Sequence, residues 1–221
     1  MSTDTTTSRL DREVDCYFDF ISPFAYLQAE ILAREPLPAR VSYKPVLFAG
    51  LLKQWGQLGP AEIVPKRRFT FRYCMWKAHQ LGIPMRLPPM HPFNPLPLLR
   101  LAIALDCAPQ ACLTLFRFVF QQGRSAEDPA AWRDLLASLD APDAAERIAR
   151  ADVKDGLRRN TEAAIARGVF GVPTLAVDTE LFWGADATQM CRDYLTGDRW
   201  FSGADATAVD RMPEGVQRQR P

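Results

Sequence analysis

Residues Val14–Leu27, VDCYFDFISPFAYL, change character at Ser22. Tyr17, Phe18, Phe20 and Ile21 are strand-type residues and predict a strand over Val14–Ile21. Ser22 is a good N-cap, and Pro23 suits the first helical position, where its missing N–H costs nothing. A helix over Pro23–Arg34 follows, then a second strand over Arg40–Leu47, with Pro36 and Pro38 punctuating the connection. From about Val64 to Arg167 the pattern is mainly helical. Pro65 opens one long helix that Gly82 ends. Ile83–Pro97 holds six prolines, Pro84, Pro88, Pro89, Pro92, Pro95 and Pro97, and reads as an ordered loop. Further helices are predicted over Leu98–Leu105, Ala111–Gln121, Pro129–Leu139, Ala144–Ala149 and Val153–Arg167.

The last patterned segment, Gly168–Asp186, reads GVFGVPTLAVDTELFWGAD. Thr174–Trp183 is predicted to be a hairpin, turned by Asp178-Thr179-Glu180 and entered through Pro173. A final helix starts at Asp186. The expected organisation is a loose N-terminal segment over residues 1–13, one domain over 14–198 and a polar surface tail over 199–221, with Trp200 and Phe201 tying the tail down.

The chain has 221 residues, 48% of them hydrophobic, enough to bury a sizeable core. The formal net charge of +1 offers neither a nucleic-acid tract nor an acidic tail. Cys16, Cys74, Cys107, Cys112 and Cys191 are odd in number and show no C-x-x-C spacing. They fit a reducing compartment, as small core residues or idle surface thiols. The first dozen residues are polar and lack the apolar core of a secretory signal. No apolar run reaches membrane-spanning length, so a soluble, cytoplasmic protein is expected.

Ser22 stands where a strand's carboxyl end meets the positive end of a helix, a place that favours an anion. Ser22-Pro23-Phe24-Ala25 contains no sulfur, which excludes disulfide exchange through this motif. No G-x-S-x-G motif surrounds Ser22, and no general base is evident, so a protease-type nucleophile is not expected. As a hydrogen-bond donor, however, the hydroxyl could stabilise a thiolate and lower a thiol's pKa from its free value of about 8.5. Lys66, Arg67 and Arg68 open a helix against its dipole. An anion nearby would offset that, and a solvated basic face is the equal alternative. His79 and His91 are the only histidines, and no His/Cys/carboxylate spacing suggests a metal. Phe48, Trp55 and Trp76 could line an aromatic pocket, although such residues are more often core.

FDFISPFAYL, FGVPT and FWGAD, with GQLGPAEIVPKRRF at Gly56–Phe69 and HPFNPLPLLRLA at His91–Ala102, make the chain similar to the 2-hydroxychromene-2-carboxylate isomerases. These are DsbA-like proteins of the thioredoxin fold, related to the kappa-class glutathione transferases. The resemblance spans about Val14 to Tyr194. It implies an α/β fold, thioredoxin-like, with a large helical insertion at about 64–167, and a cis peptide before Pro173 facing Ser22. It also implies glutathione as cofactor, a small aromatic carboxylate as substrate and often a dimer.

Residue by residue, the resemblance makes Ser22 the thiolate-stabilising catalytic group. Val172 and Pro173 become the backbone edge that pairs with the cysteinyl unit. Trp183, Gly184, Ala185 and Asp186 become the γ-glutamyl site, and Lys66 a carboxylate ligand. Gln57, Glu62 and His91 border the substrate. The chain departs from the pattern at Ala185, usually polar, at Ala187, often Arg, and at Gln57, often Asn. Three functions stay open: glutathione-dependent cis–trans isomerisation, glutathione transfer to an electrophile, and non-enzymatic thiol or peptide binding.

Overall fold

The computed structural model describes residues 12–215. Its centre is a four-stranded sheet of β1 (Glu13–Phe18), β2 (Arg40–Pro45), β3 (Thr174–Val177) and β4 (Glu180–Trp183), in the order β2-β1-β3-β4. β1 and β2 run parallel, with Cys16 opposite Tyr43. β1 and β3 run antiparallel, with Cys16 opposite Leu175, and β3 and β4 form the predicted hairpin. The antiparallel half needs only a tight turn. The parallel pair needs a crossover, supplied by α1 (Pro23–Arg34).

Alternation along β1 sorts the core. Val14, Cys16 and Phe18 face the larger cluster, where Phe18 and Phe20 meet Phe116 at centroid distances of 5.4 and 4.6 Å. Tyr17 and Ala176 face a smaller cluster with Val46, Leu51, Ala164 and Val172.

Between β2 and β3 lie α2 (Phe48–Trp55), α3 (Val64–Gln80), α4 (Leu96–Ala104), α5 (Pro109–Phe120), α6 (Pro129–Ser138), α7 (Ala144–Ala149) and α8 (Ala151–Ala166). The helices of 64–166 form the expected insertion, joined by the Pro-rich loop. α9 (Thr188–Thr196) follows β4 after a 3-10 turn at Ala185–Ala187. α1 is pinned to α5 by a two-pronged ion pair. Arg117 Nε and Nη2 donate to Glu30 Oε1 and Oε2 at 2.7 and 2.9 Å, with Glu30 fully buried.

Several helix ends shift by one or two residues, with α4 starting at Leu96 inside the expected loop; larger differences are two strand ends and one additional helix. β1 stops at Phe18 rather than Ile21, because the Asp19 carboxylate turns the chain by accepting the Ile21 N–H at 3.1 Å. β2 stops at Pro45 rather than Leu47. Pro45 has no N–H, Val46 makes one last backbone bond to the Phe18 carbonyl at 2.9 Å, and the two donors after it go to side chains: Leu47 to Thr161 Oγ1 at 3.0 Å and Phe48 to Asp19 Oδ2 at 2.9 Å. α2 was not anticipated. It has no side-chain cap from its own Leu47, and those two distant oxygens satisfy its first donors instead.

The C-terminal segment is not featureless. Arg199–Ser202 and Val209–Arg211 are 3-10 turns flanking α10 (Ala204–Ala208). Phe201 packs on Tyr194 and Phe182 at 5.1 and 6.2 Å, so it ties this segment down. Most of the expected loose N-terminal segment lies outside the described residues. Among the described residues no helix is long and apolar enough to cross a membrane.

Candidate active site at the Ser22 turn

The site is built where β1, α1 and the entry to β3 converge. Asp19 to Ser22 is a tight turn closed by Ser22 N–H to Asp19 C=O at 3.1 Å. Ser22 then caps α1, its Oγ accepting the Ala25 N–H at 3.3 Å. The same hydroxyl donates to the Val172 carbonyl at 3.4 Å. The Val172–Pro173 peptide is cis, as expected, and both Ser22 and Val172 are buried.

Asp19 sits beneath this turn and was overlooked in the sequence. Its carboxylate is fully buried and accepts two backbone N–H groups, from Ile21 and Phe48. Burial pushes its pKa from 3.8 up to about 7, against the opposing effect of those hydrogen bonds. A lone carboxylate between two phenylalanines at a strand end, two residues before the N–H it accepts, is the signature of an Asx turn.

The Gly184–Asp186 segment is held against α1 by Gln28. Its Nε2 donates to Thr188 Oγ1 at 3.2 Å and to the Gly184 carbonyl at 3.4 Å. Gly184 has φ +97°, a conformation that favours glycine, and a Cβ there would also crowd the Asp186 carboxylate. The Asp186 carboxylate is exposed and engages no cation among the described residues. Ala185 and Asp186 lie in the 3-10 turn ahead of α9, rather than in a long helix. Trp183 lays its indole over Gly171, where a Cβ would come within 2.5 Å of Nε1, and meets Phe170 edge to face at 5.0 Å.

His91 approaches Ser22 from the other side. Its Nε2 donates to the Ile21 carbonyl at 2.9 Å, so the neutral ring carries its proton there, and the buried Nδ1 has no partner. Burial holds the imidazole pKa below its usual value. The Ile21 bond works against this, and the neighbouring Arg67 adds to it.

The structure therefore brings Ser22, Val172 and Pro173 together, sets His91 behind the turn, and places Trp183 to Asp186 along the same sheet edge. The other expected residues are more remote. Glu62 spends its Oε1 on the Gly59 N–H at 2.6 Å, closing the Pro60–Glu62 turn. Gln57 and Lys66 are exposed, and no described contact joins either to Ser22. The three aromatics line no common pocket. Trp55 donates to the Val169 carbonyl at 2.9 Å, Phe48 packs on the smaller cluster, and Trp76 lies on the outer face of α3 beside Tyr73.

No thiol of this chain is a nucleophile at neutral pH. Burial pushes Cys16, Cys74 and Cys191 up to about 12 and Cys107 up to about 11, and raises Cys112 well above its usual value. All five are free. The turn is thus a place that can stabilise a thiolate in a protein that has none to put there.

Comparison with known proteins agrees with this fold. Residues 13–196 match the model of the DSBA-like thioredoxin domain. The chain is 27% identical over 212 residues to glutathione S-transferase kappa 1 of Homo sapiens, covering 86% of this chain and 93% of that one. It is 28% identical over 194 residues to a 2-hydroxychromene-2-carboxylate isomerase of Sphingobium xenophagum, covering 84% and 99%. A solved 2-hydroxychromene-2-carboxylate isomerase superposes with a TM-score of 0.73 at 23% identity, over 88% of this chain and 98% of that one, which shows a shared fold.

Proposed function

Because the chain belongs to the DSBA-like thioredoxin domain family, we propose that it is a glutathione-dependent isomerase whose thiol site is the Ser22 turn. Its substrate would be a ring-opened aromatic carboxylate of the 2-hydroxychromene-2-carboxylate type. The observation that carries the reading is the Ser22 hydroxyl beside the Val172 carbonyl in a cysteine-free motif. The names of the two relatives, a kappa-class transferase and an isomerase, support the choice of glutathione.

The donor set fits an extended thiol peptide. Val172 offers its carbonyl as a strand edge does. Once a ligand N–H takes that carbonyl, the Ser22 O–H is released to turn toward sulfur, while its oxygen keeps the Ala25 N–H. Gly184 and Ala185 offer backbone, and Asp186 offers a carboxylate to an ammonium. Lys66 is the candidate for the far carboxylate, with Gln57, Glu62 and His91 toward the substrate.

Glutathione would supply a thiolate able to add to a conjugated carbon and leave again once the former double bond has rotated. The chain's part is to hold that charge. Ser22 donates to it, and the N-terminus of α1 faces it. Asp19 fixes the turn that aims the hydroxyl.

Product analysis tests the proposal. With substrate and one equivalent of glutathione, an isomerase returns all the free thiol beside a rearranged acid. Consumption of thiol with a stable adduct would instead establish transfer, the reading that the kappa-class relative favours. Glutathione binding without turnover in either assay would leave a binding protein.

A further inference from the structure

A cavity of about 510 Å³ lies between α3 and the Pro-rich loop. Its walls are largely apolar, with Phe71 on the helix and Met90 on the loop, and His91 closes one end. Its cations are Arg67, Arg68 and Arg72, all from α3. The volume is that of a small-molecule site. None of Ser22, Val172, Pro173, Lys66 or Asp186 lines it.

The arginines stand out because no carboxylate among the described residues pairs with them. Between Glu62 and Asp106 the chain has no carboxylate at all, while Lys66, Arg67, Arg68, Arg72 and Lys77 lie on α3 alone, in a protein of net charge +1. None of the three pocket arginines has an ion pair among the described residues. Arg67 makes only a long 3.5 Å contact to the His91 carbonyl. Two of them occupy the first turns of α3, where the helix dipole opposes positive charge and where Ile63 provides no side-chain cap. Three uncompensated guanidiniums against an apolar wall match a ligand with a flat apolar body and an anionic end.

We infer that this pocket binds an apolar carboxylic acid, with Arg68 and Arg72 as counter-ions to its carboxylate and Phe71 and Met90 against its body. A guanidinium meets a carboxylate through two parallel N–H bonds, which gives orientation as well as charge. A phosphate fits less well, since a strongly hydrated dianion gains nothing from apolar walls. Resting on the proposed function, the inference makes this the pocket for the acid substrate's carboxylate end. His91 is the shared element, lining the pocket while its Nε2 holds the Ile21 carbonyl beside Ser22.

The test is calorimetric titration of the whole protein with 2-naphthoate and with its uncharged isostere 2-naphthamide. The expected result is that naphthoate binds about tenfold or more tightly than the amide, the difference one charge-assisted pair supplies. Arg68 and Arg72 are exposed, so Arg68→Gln/Arg72→Gln should fold normally and bring naphthoate down to the affinity of the amide. Equal affinity for acid and amide, an unaffected double variant, or displacement of naphthoate by equimolar inorganic phosphate would each overturn the assignment. A separate glutathione titration keeps the two readings apart. Failure of glutathione to bind overturns the proposed function, whereas failure of acid to outbind amide overturns the pocket.

Discussion

Ser22 Oγ donates to the carbonyl oxygen of Val172 at 3.4 Å although 150 positions of chain separate the two residues. The bond is long, and its donor is the hydrogen a bound thiolate would want. Its replacement by a ligand N–H on Val172 couples docking of the peptide backbone to release of the Ser22 hydroxyl. A ligand that reaches the carbonyl prepares the donor for its own sulfur.

Ser22→Ala is therefore expected to leave glutathione affinity nearly unchanged while raising the apparent pKa of the bound thiol. One charge-assisted hydrogen bond is lost, so the barrier should rise by about 1–3 kcal/mol. Titration of thiolate absorbance in the complex reads the first effect and kcat the second. A titration curve identical to that of the native protein would reduce Ser22 to a helix cap.

The pair that fastens α1 to α5 can be tested without any ligand. Glu30 is buried, and Arg117 is its only ion-pair partner among the described residues. Arg117→Leu strands a carboxylate in the core and should cost about 3–5 kcal/mol in urea unfolding. The double change Glu30→Leu/Arg117→Leu removes both charges and should recover much of that loss. A double variant no more stable than the single one would mean that packing, rather than the unpaired charge, dominates.

Local chemistry explains how much of this was legible in the sequence. α1 was placed to the residue because Ser22 and Pro23 mark its start in sequence. The hairpin and the cis bond at Pro173 followed from a short apolar run and the resemblance. What was missed depends on distant partners. α2 starts where Asp19 and Thr161 accept its first N–H groups, from 29 and 114 residues away. Phe20 and Ile21 look like strand until the Asp19 carboxylate is seen to turn them. The arginine pocket forms only when α3 meets the Pro-rich loop, and no spacing within either segment announces it.

Asp186→Asn tests the γ-glutamyl end. The substitution is isosteric, so the close approach over Gly184 is kept and only the charge is removed. An exposed pair with an ammonium is worth up to about 1 kcal/mol, so glutathione affinity should fall by up to about fivefold, and less at high salt. The contact is far from sulfur and the same in ground and transition states, so kcat at saturating glutathione should hold. Equal affinities for the two proteins at low salt would remove Asp186 from the site.

Asp19 gives the prediction with the clearest sign. Its pKa is raised in the folded protein from 3.8 to about 7, chiefly by burial. The folded state therefore holds a proton that the unfolded chain has released. The stability this provides is fully present below the unfolded value and is lost as pH climbs to about 7, at up to about 1.4 kcal/mol per unit. Other groups act over neighbouring ranges with the opposite slope. His91, with its lowered pKa, loses a destabilising contribution as pH rises, and Asp178, lowered in part by its bonds to Tyr194 and Arg12, loses a stabilising one as pH falls. A single stability profile would mix them. The difference between native protein and Asp19→Asn cancels every group except Asp19. Urea midpoints measured from pH 4 to 8 should show the native protein's advantage shrinking steadily with pH and levelling off above about 7. The amide cannot ionise, and it can accept only one of the two N–H groups, so the variant should be weaker at the acid end. A difference that stays flat across the range would show that Asp19 is ionised throughout and that the turn under Ser22 has no proton to lose.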